Sequence, residues 1–271
     1  MPSEIDQQRT IDGLRAVWAS VDALVADLAD DQWRVASPLP GWDVQANLAH
    51  MVGTESFLLG REPETGGEPA ADHVRNPIGE MNERWIETFA SRTPAEVLAA
   101  FRDVTAQRLA VLDAMPADEW NAVGFTPAGE DVYGRFMQIR VFDCWMHEQD
   151  IRAAVGRPGH DGGIAVEVSL DEMTTAMGFV VGKRAGAPDG ASVTFELTGG
   201  SPRSIHVRVE GRAAVVPELD GPATVTLTMP IVSFGRIAGG RLDAADHLPN
   251  ATIIGDEALG RRILDNLSYT I

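Results

Sequence analysis

Three side chains in this sequence have the types and the spacing for chemistry. Asp143 and His147 stand four positions apart within Arg140-Val-Phe-Asp-Cys-Trp-Met-His-Glu-Gln-Asp150, a stretch that reads as the middle of a helix. At that spacing two side chains lie one above the other on the same helix face. The face continues through Phe136, Ile139 and Met146, which puts a carboxylate and an imidazole beside an apolar stripe. A carboxylate in such surroundings is costly unless it is paired, hydrogen-bonded or bound to a cation. His50, on an earlier helix, is the third. Two ligands at i and i+4 on one helix, with another from a neighbouring helix, is how helical bundles build metal sites in their core. The candidate constellation is therefore His50, Asp143 and His147 around one divalent cation. Nitrogen and oxygen ligands suit Zn²⁺, the expected metal, and neighbouring first-row ions. Three protein ligands leave a position for water or substrate, which suits catalysis. A plain aspartate–histidine hydrogen bond produces the same spacing, with His50 an ordinary satisfied histidine, and on spacing alone both readings stand.

Other residues invite the same test. Asp150 continues the Asp143 stripe and can orient a histidine from behind, although a solvated surface aspartate is the simpler expectation. Glu55, five positions after His50, has a poor same-face spacing and is left out of the site. Cys144 points about a quarter-turn away from Asp143 and is expected to be a small buried side chain rather than a nucleophile. His73, His160 and His247 sit in loop-like sequence and His206 in a strand, none with a partner that the sequence identifies.

The elements that must position these residues are legible in outline. Apolar residues at three- and four-residue steps predict a long amphipathic helix over residues 5–28, followed by a loop at 30–41. Asp43 caps a helix over 44–59, in which His50 shares a face with Asn47, Thr54 and Phe57, and Ala46, Ala49 and Gly53 allow close approach of another helix. Residues 60–78 form a polar connection, with a helix over 79–90 beyond it. Thr93-Pro94-Ala-Glu96 is a helix start, with Thr93 as N-cap and Glu96 reaching back to it. That helix ends at Met115-Pro116, residues 116–132 read as loop, and the Asp143/His147 helix runs from about 133 to Gly156-Arg-Pro-Gly159. The pattern then changes. A helix over 164–183 precedes β-type runs at 191–197, 204–209 and 223–228, a short helix over 231–238, a strand at 251–254 and a terminal helix over 257–267.

The 271 residues have room for two domains of ordinary size. An apolar fraction of 44% and a charged fraction of 23% are those of a soluble globular protein. No apolar run approaches the roughly 18 residues of a transmembrane helix, and the first residues lack the basic start and apolar run of a signal peptide. A single cysteine excludes an internal disulfide and any multi-cysteine zinc or iron–sulfur site. These features point to the cytoplasm. A net charge of −18 repels phosphate backbones and anionic membranes, so neither nucleic acid nor membrane is an expected partner.

Two segments carry a family resemblance. Leu39-Pro-Gly-Trp42-Asp-Val-Gln-Ala-Asn-Leu-Ala-His50 and Arg140-Val-Phe-Asp143-Cys-Trp145-Met-His147-Glu-Gln-Asp150-Ile-Arg152 resemble the two signature segments of the mycothiol-dependent maleylpyruvate isomerase family, within the wider DinB-like group. The order of elements after residue 160 also fits that family's second domain. The resemblance implies a two-domain α+β fold: an N-terminal DinB-like metal-binding four-helix bundle over residues 1–160, then a smaller sterol-carrier-like α+β domain over 161–271. It implies a divalent metal held by His50, Asp143 and His147, with Asp143 standing where the isomerase has a glutamate. Aspartate is shorter by one methylene, which bears on substrate and metal geometry. It further implies mycothiol as thiol cofactor or co-substrate. A second-domain arginine holding an anionic substrate is implied too, for which Arg241 and, behind it, Arg236 are the candidates.

The expected activity is that of a metal-dependent, mycothiol-using isomerase or S-transferase acting on a small anionic or electrophilic molecule. A cation that coordinates a thiol removes its proton and makes a nucleophile at neutral pH. In an isomerase the thiolate adds to a conjugated double bond, the bond rotates, and the thiolate leaves; in a transferase it displaces a leaving group or stays. Function sits in a site rather than a fold, so two alternatives accompany this expectation. One is a non-catalytic carrier or regulator that binds a metal or a small ligand. The other is metal-assisted hydrolysis by a bound water at the same three residues.

Overall fold

In the computed structural model, which describes residues 4–64, 74, 76–242 and 251–270, the first run of apolar steps becomes helix α1 (Gln7–Ala26). Its buried face is Ile11, Leu14, Val17, Trp18, Val21, Leu24 and Val25, and the Asp6 carboxylate caps it by accepting the Arg9 amide at 2.8 Å. Chain contacts divide the structure into two units, Met1–Gly159 and His160–Ile271.

Helix α2 (Val44–Leu58) starts at Asp43, whose side chain accepts the Ala46 amide at 2.8 Å. Unlike α1 it has no solvent face over most of its length: every residue from Val44 to Ser56 is buried, because α3 (Pro77–Ala90), α4 (Pro94–Asp113) and α6 (Tyr133–Val155) all pack against it. Small residues make this possible. A Cβ added at Gly53 would stand 2.3 Å from Trp85 Cγ, so α3 rides directly on the α2 backbone there. Helix α3 begins two positions before its expected start, with Asn76 as cap and Pro77 in the first turn.

The Thr93/Glu96 capping box that opens α4 is present, with Thr93 Oγ1 accepting the Glu96 amide at 3.3 Å and Glu96 Oε2 accepting the Thr93 amide at 2.8 Å. Thr93→Ala is expected to lower the melting temperature by about 2–4 °C, with Thr93→Ser close to wild type, in a thermal unfolding scan.

Residues 116–132, expected as loop, contain the short helix α5 (Ala117–Trp120) and a hairpin of β1 (Val123–Thr126) and β2 (Gly129–Val132). Four-residue strands with Val123 and Phe125 out in solvent offer no readable alternation of buried and exposed positions. Helix α6 ends at Gly156 in the left-handed conformation. The bundle proper is α1, α2, α4 and α6: α1 packs on α4 and α6, α2 packs on the same two, and α3 covers α2 from outside.

In the second unit α7 (Ile164–Phe179), finished by a π-helical turn over Val180–Arg184, lies against a five-stranded sheet. Its strands are β3 (Ser192–Thr198), β4 (Arg203–Glu210), β5 (Arg212–Val216), β6 (Val225–Pro230) and β7 (Thr252–Gly255), in the order β5-β4-β3-β6-β7. β3 and β6 are parallel and the other pairs antiparallel. β5, unread in the sequence, is a short edge strand reached through a tight turn at Gly211, and its Ala213 and Ala214 carry little strand signal. Helices α8 (Ile231–Ala238) and α9 (Glu257–Asp265) complete the unit. A helical unit followed by an α+β unit is the architecture expected from the sequence. Among the described residues no helix is long and apolar enough to cross a membrane.

Candidate metal centre

Because α2 packs on α6, His50 arrives opposite Asp143 and His147. His50 Nε2 lies 3.1 Å from Asp143 Oδ2, and His147 Nε2 lies 3.5 Å from Asp143 Oδ1. The imidazole centroids are 4.5 Å apart, and one ligand atom from each of the three residues falls within 4.8 Å of the others. All three sequence-derived candidates are thus brought together inside the first unit.

Asn47, one turn before His50, decides which nitrogen of His147 faces the cluster. Its Nδ2 donates to the Asp43 carbonyl at 2.9 Å, which turns its Oδ1 toward His147 Nδ1, also at 2.9 Å. An amide oxygen only accepts, so Nδ1 carries a proton and Nε2 is the nitrogen turned toward Asp143 and His50. This is the arrangement in which a ligating histidine is oriented from behind. The Asp150 carboxylate adds to it, with Oδ2 3.6 Å from Nδ1. Asp150 is fully buried, which corrects the expectation of a solvated aspartate: α6 has no solvent face at this depth. His50 Nδ1 is buried without a hydrogen-bond partner among the described residues.

Trp42 forms a wall over both imidazoles. Its ring is stacked on His147 at 5.5 Å and 22°, and tilted against His50 at 5.3 Å. The indole N–H donates to Glu83 on α3 at 2.8 Å, so a third helix sets the angle of the wall.

The charge states suit a cation. Burial is the largest influence on His50 and lowers its pKa to about 4, so the imidazole keeps a lone pair at neutral pH. Burial works in the opposite direction on Asp143, but Arg140, then His147 and His50, outweigh it and hold the carboxyl well below its usual range. Arg140 Nη1 donates directly to Asp143 Oδ2. Arg140 is in turn bound through Nε to Glu55 Oε1 at 2.9 Å, and Arg108 Nε binds Glu55 Oε2 at the same distance. Sequence reasoning missed this network. The Arg140–Asp143 pair had a local signal, an i,i+3 spacing, but Glu55 and Arg140 are 85 positions apart and have none.

Cys144 has no accessible surface, and burial pushes its thiol up to about 12, so it is no nucleophile. His206 Nδ1 pairs with Thr194 Oγ1 at 3.0 Å, His160 sits at the start of the second unit with φ 53°, and His73 and His247 lie outside the described residues. Arg236 lies on α8 and Arg241 just beyond it, where its Nη1 donates to the Gly239 carbonyl at 2.6 Å. Both belong to the second unit, apart in sequence from the three-residue cluster of the first.

A family model described as the mycothiol maleylpyruvate isomerase N-terminal domain matches residues 14–152, and one described as the MDMPI C-terminal domain matches residues 167–262. An uncharacterized protein of Mycobacterium tuberculosis, found in two strains, is 29% identical over 145 residues, which is 53% of this chain and 55% of the relative. The chain therefore spans about half the length of the curated relatives it matches. Two crystal structures of the mycothiol-dependent maleylpyruvate isomerase share the fold, each at 16% identity over 92% of this chain and 93% of theirs. The TM-scores are 0.58 for a histidine-to-alanine mutant and 0.56 for the other.

Proposed function

Since the chain belongs to the mycothiol maleylpyruvate isomerase family, we propose that it is a divalent-metal-dependent enzyme using mycothiol on a small anionic or electrophilic substrate, as an isomerase or an S-transferase. The observation that carries this reading is the convergence of His50 Nε2, His147 Nε2 and an Asp143 oxygen at one point of the bundle.

Two imidazoles and one carboxylate are a donor set that fits Zn²⁺ or a neighbouring first-row ion. Bound there, the ion supplies Lewis acidity and the means to deprotonate a thiol. The chain's own residues do the rest. Asn47 keeps the His147 proton on Nδ1, Trp42 shields the imidazoles from water on one side, and Arg140 keeps Asp143 ionised. Arg241, with Arg236 behind it, is the candidate to hold a substrate carboxylate, which a guanidinium grips bidentately. The reaction is assigned to the cytoplasm, where low-molecular-weight thiols are kept reduced.

The test is elemental analysis of protein purified without added metal, joined to isomerisation and thiol-conjugation assays with mycothiol and with glutathione. The expected result is about one equivalent of divalent metal per chain and mycothiol-dependent turnover that a chelator removes. Metal-free protein, or turnover indifferent to the chelator, overturns the proposal; hydrolysis without any thiol moves it to a metal-assisted hydrolase. One observation favours a second reading as a carrier. A cleft of about 880 Å³ lies between α7 and β5 in the second unit, floored by Phe179, Val209, Ala213 and Val215. Thermal stabilisation by an apolar ligand, independent of metal and thiol, would support it.

A further inference from the structure

The bundle lines up four charges in a row, three of them buried: Arg108, Glu55, Arg140 and the half-buried Asp143. Glu55 has no exposed surface, Arg108 is 1% exposed and Arg140 3%, while Asp143 retains 31% of its side chain in solvent. Each Glu55 oxygen serves a different arginine. Arg108 spends its remaining reach on the Tyr133 hydroxyl and Met137 Sδ, at 2.9 and 3.3 Å. Arg140 turns one arm to Asp143 Oδ2 and the other to Cys144 Sγ. Stability is a poor reason to assemble such a row, because apolar side chains of similar volume commonly do as well or better.

Its geometry suggests another reason. Asp143 is the most exposed of the three candidate ligands and has a short side chain that solvent can pull outward. Arg140 pins it by Oδ2, which also lies 3.1 Å from His50 Nε2, and leaves Oδ1 without an arginine partner and turned toward His147 Nε2 at 3.5 Å. Arg140 can do this only while its own Nε is held, and Glu55 holds it from α2, the helix that also carries His50.

Resting on the metal reading above, we infer that Glu55 and Arg140 are positioning residues of the metal centre: Glu55 locks the Arg140 guanidinium, and Arg140 fixes Asp143 by one carboxylate oxygen so that the other is offered to the cation. A planar guanidinium can grip two carboxylates at fixed angles; an ammonium of the same charge cannot. Arg108 touches Glu55 but not Asp143, and supports the fold alone.

The test measures metal affinity by competition with a chromophoric chelator, alongside the visible spectrum of the Co²⁺-substituted protein. Arg140→Lys keeps the charge and loses the fork; it is expected to weaken binding about ten- to hundredfold, as loss of a partner behind a ligand does, and to shift the Co²⁺ bands. Glu55→Gln is the second variant, with the same expected direction. Arg108→Met removes an equally buried cation, so it is expected to lower the melting temperature without weakening metal binding. Wild-type affinity and an unshifted spectrum in Arg140→Lys overturn the inference while leaving the metal reading intact. An affinity that merely follows melting temperature across the three variants also overturns it, by reducing the network to fold support. Wild-type protein that binds no metal removes this inference together with the reading beneath it.

Discussion

Glu55→Ala is expected to destabilise the first unit by about 3–5 kcal/mol, the cost of removing one partner from a buried ion pair. The carboxylate has no exposed surface and stands between Arg108 and Arg140, themselves 1% and 3% exposed. Removing it leaves Arg108 with a hydroxyl and a thioether, and leaves Arg140 with Asp143 and a thiol sulfur. Neither guanidinium can shed its proton to escape. Burial works against the charge of Arg140, yet Cys144, Asp143 and Glu55 more than compensate and hold its pKa above the usual guanidinium range. Chemical denaturation should show the loss as a lower midpoint at an unchanged slope. Adding Arg108→Met to Glu55→Ala should recover part of it, since one stranded charge is then gone. A Glu55→Ala protein with wild-type stability would mean that the two arginines find water or other partners at no cost.

His50→Ala should leave the fold and remove the chemistry. The residue is 4% exposed, but burial lowers its pKa to about 4, so the substitution takes a neutral ring and not a charge out of the core. Trp42 and His147, which pack against that ring, can close partly over the space. The consequence for a cation is larger. Only Asp143 and His147 would be left, and metal affinity is expected to fall by more than about a hundredfold, beyond the cost of losing a mere supporting partner. Metal content after purification should drop to background and thiol-dependent turnover should vanish with it, while the melting curve of the metal-free protein moves far less than in Glu55→Ala. Retained stoichiometric metal in His50→Ala, measured by elemental analysis, would sink the ligand assignment.

The two substitutions lie five positions apart on one helix and separate two tasks. His50 faces the point where donors converge. Glu55 faces away from it and acts on it only through Arg140. Spacing kept Glu55 out of the candidate ligand set; its contact with Arg140 was invisible until α2 lay against α6.

Relations carried by a single helix were already written in the sequence: Asp143 and His147 on one face, the Thr93/Glu96 box, the stop at Gly156, and the switch after it from helices to alternating strands. Helix geometry makes residues three and four apart neighbours whatever surrounds them, so local order suffices. The tertiary structure decided everything that joins distant segments. It brought His50 to Asp143 across 93 positions and Glu55 to Arg140 across 85, buried Asp150, and covered α2 from Val44 to Ser56. It also recruited weak strand sequence, at β5 and at the β1–β2 hairpin, into sheets whose pairing supplies what local propensity does not. Those contacts depend on which faces pack and how closely, and a residue such as Gly53 records that packing only once Trp85 is seen lying on it.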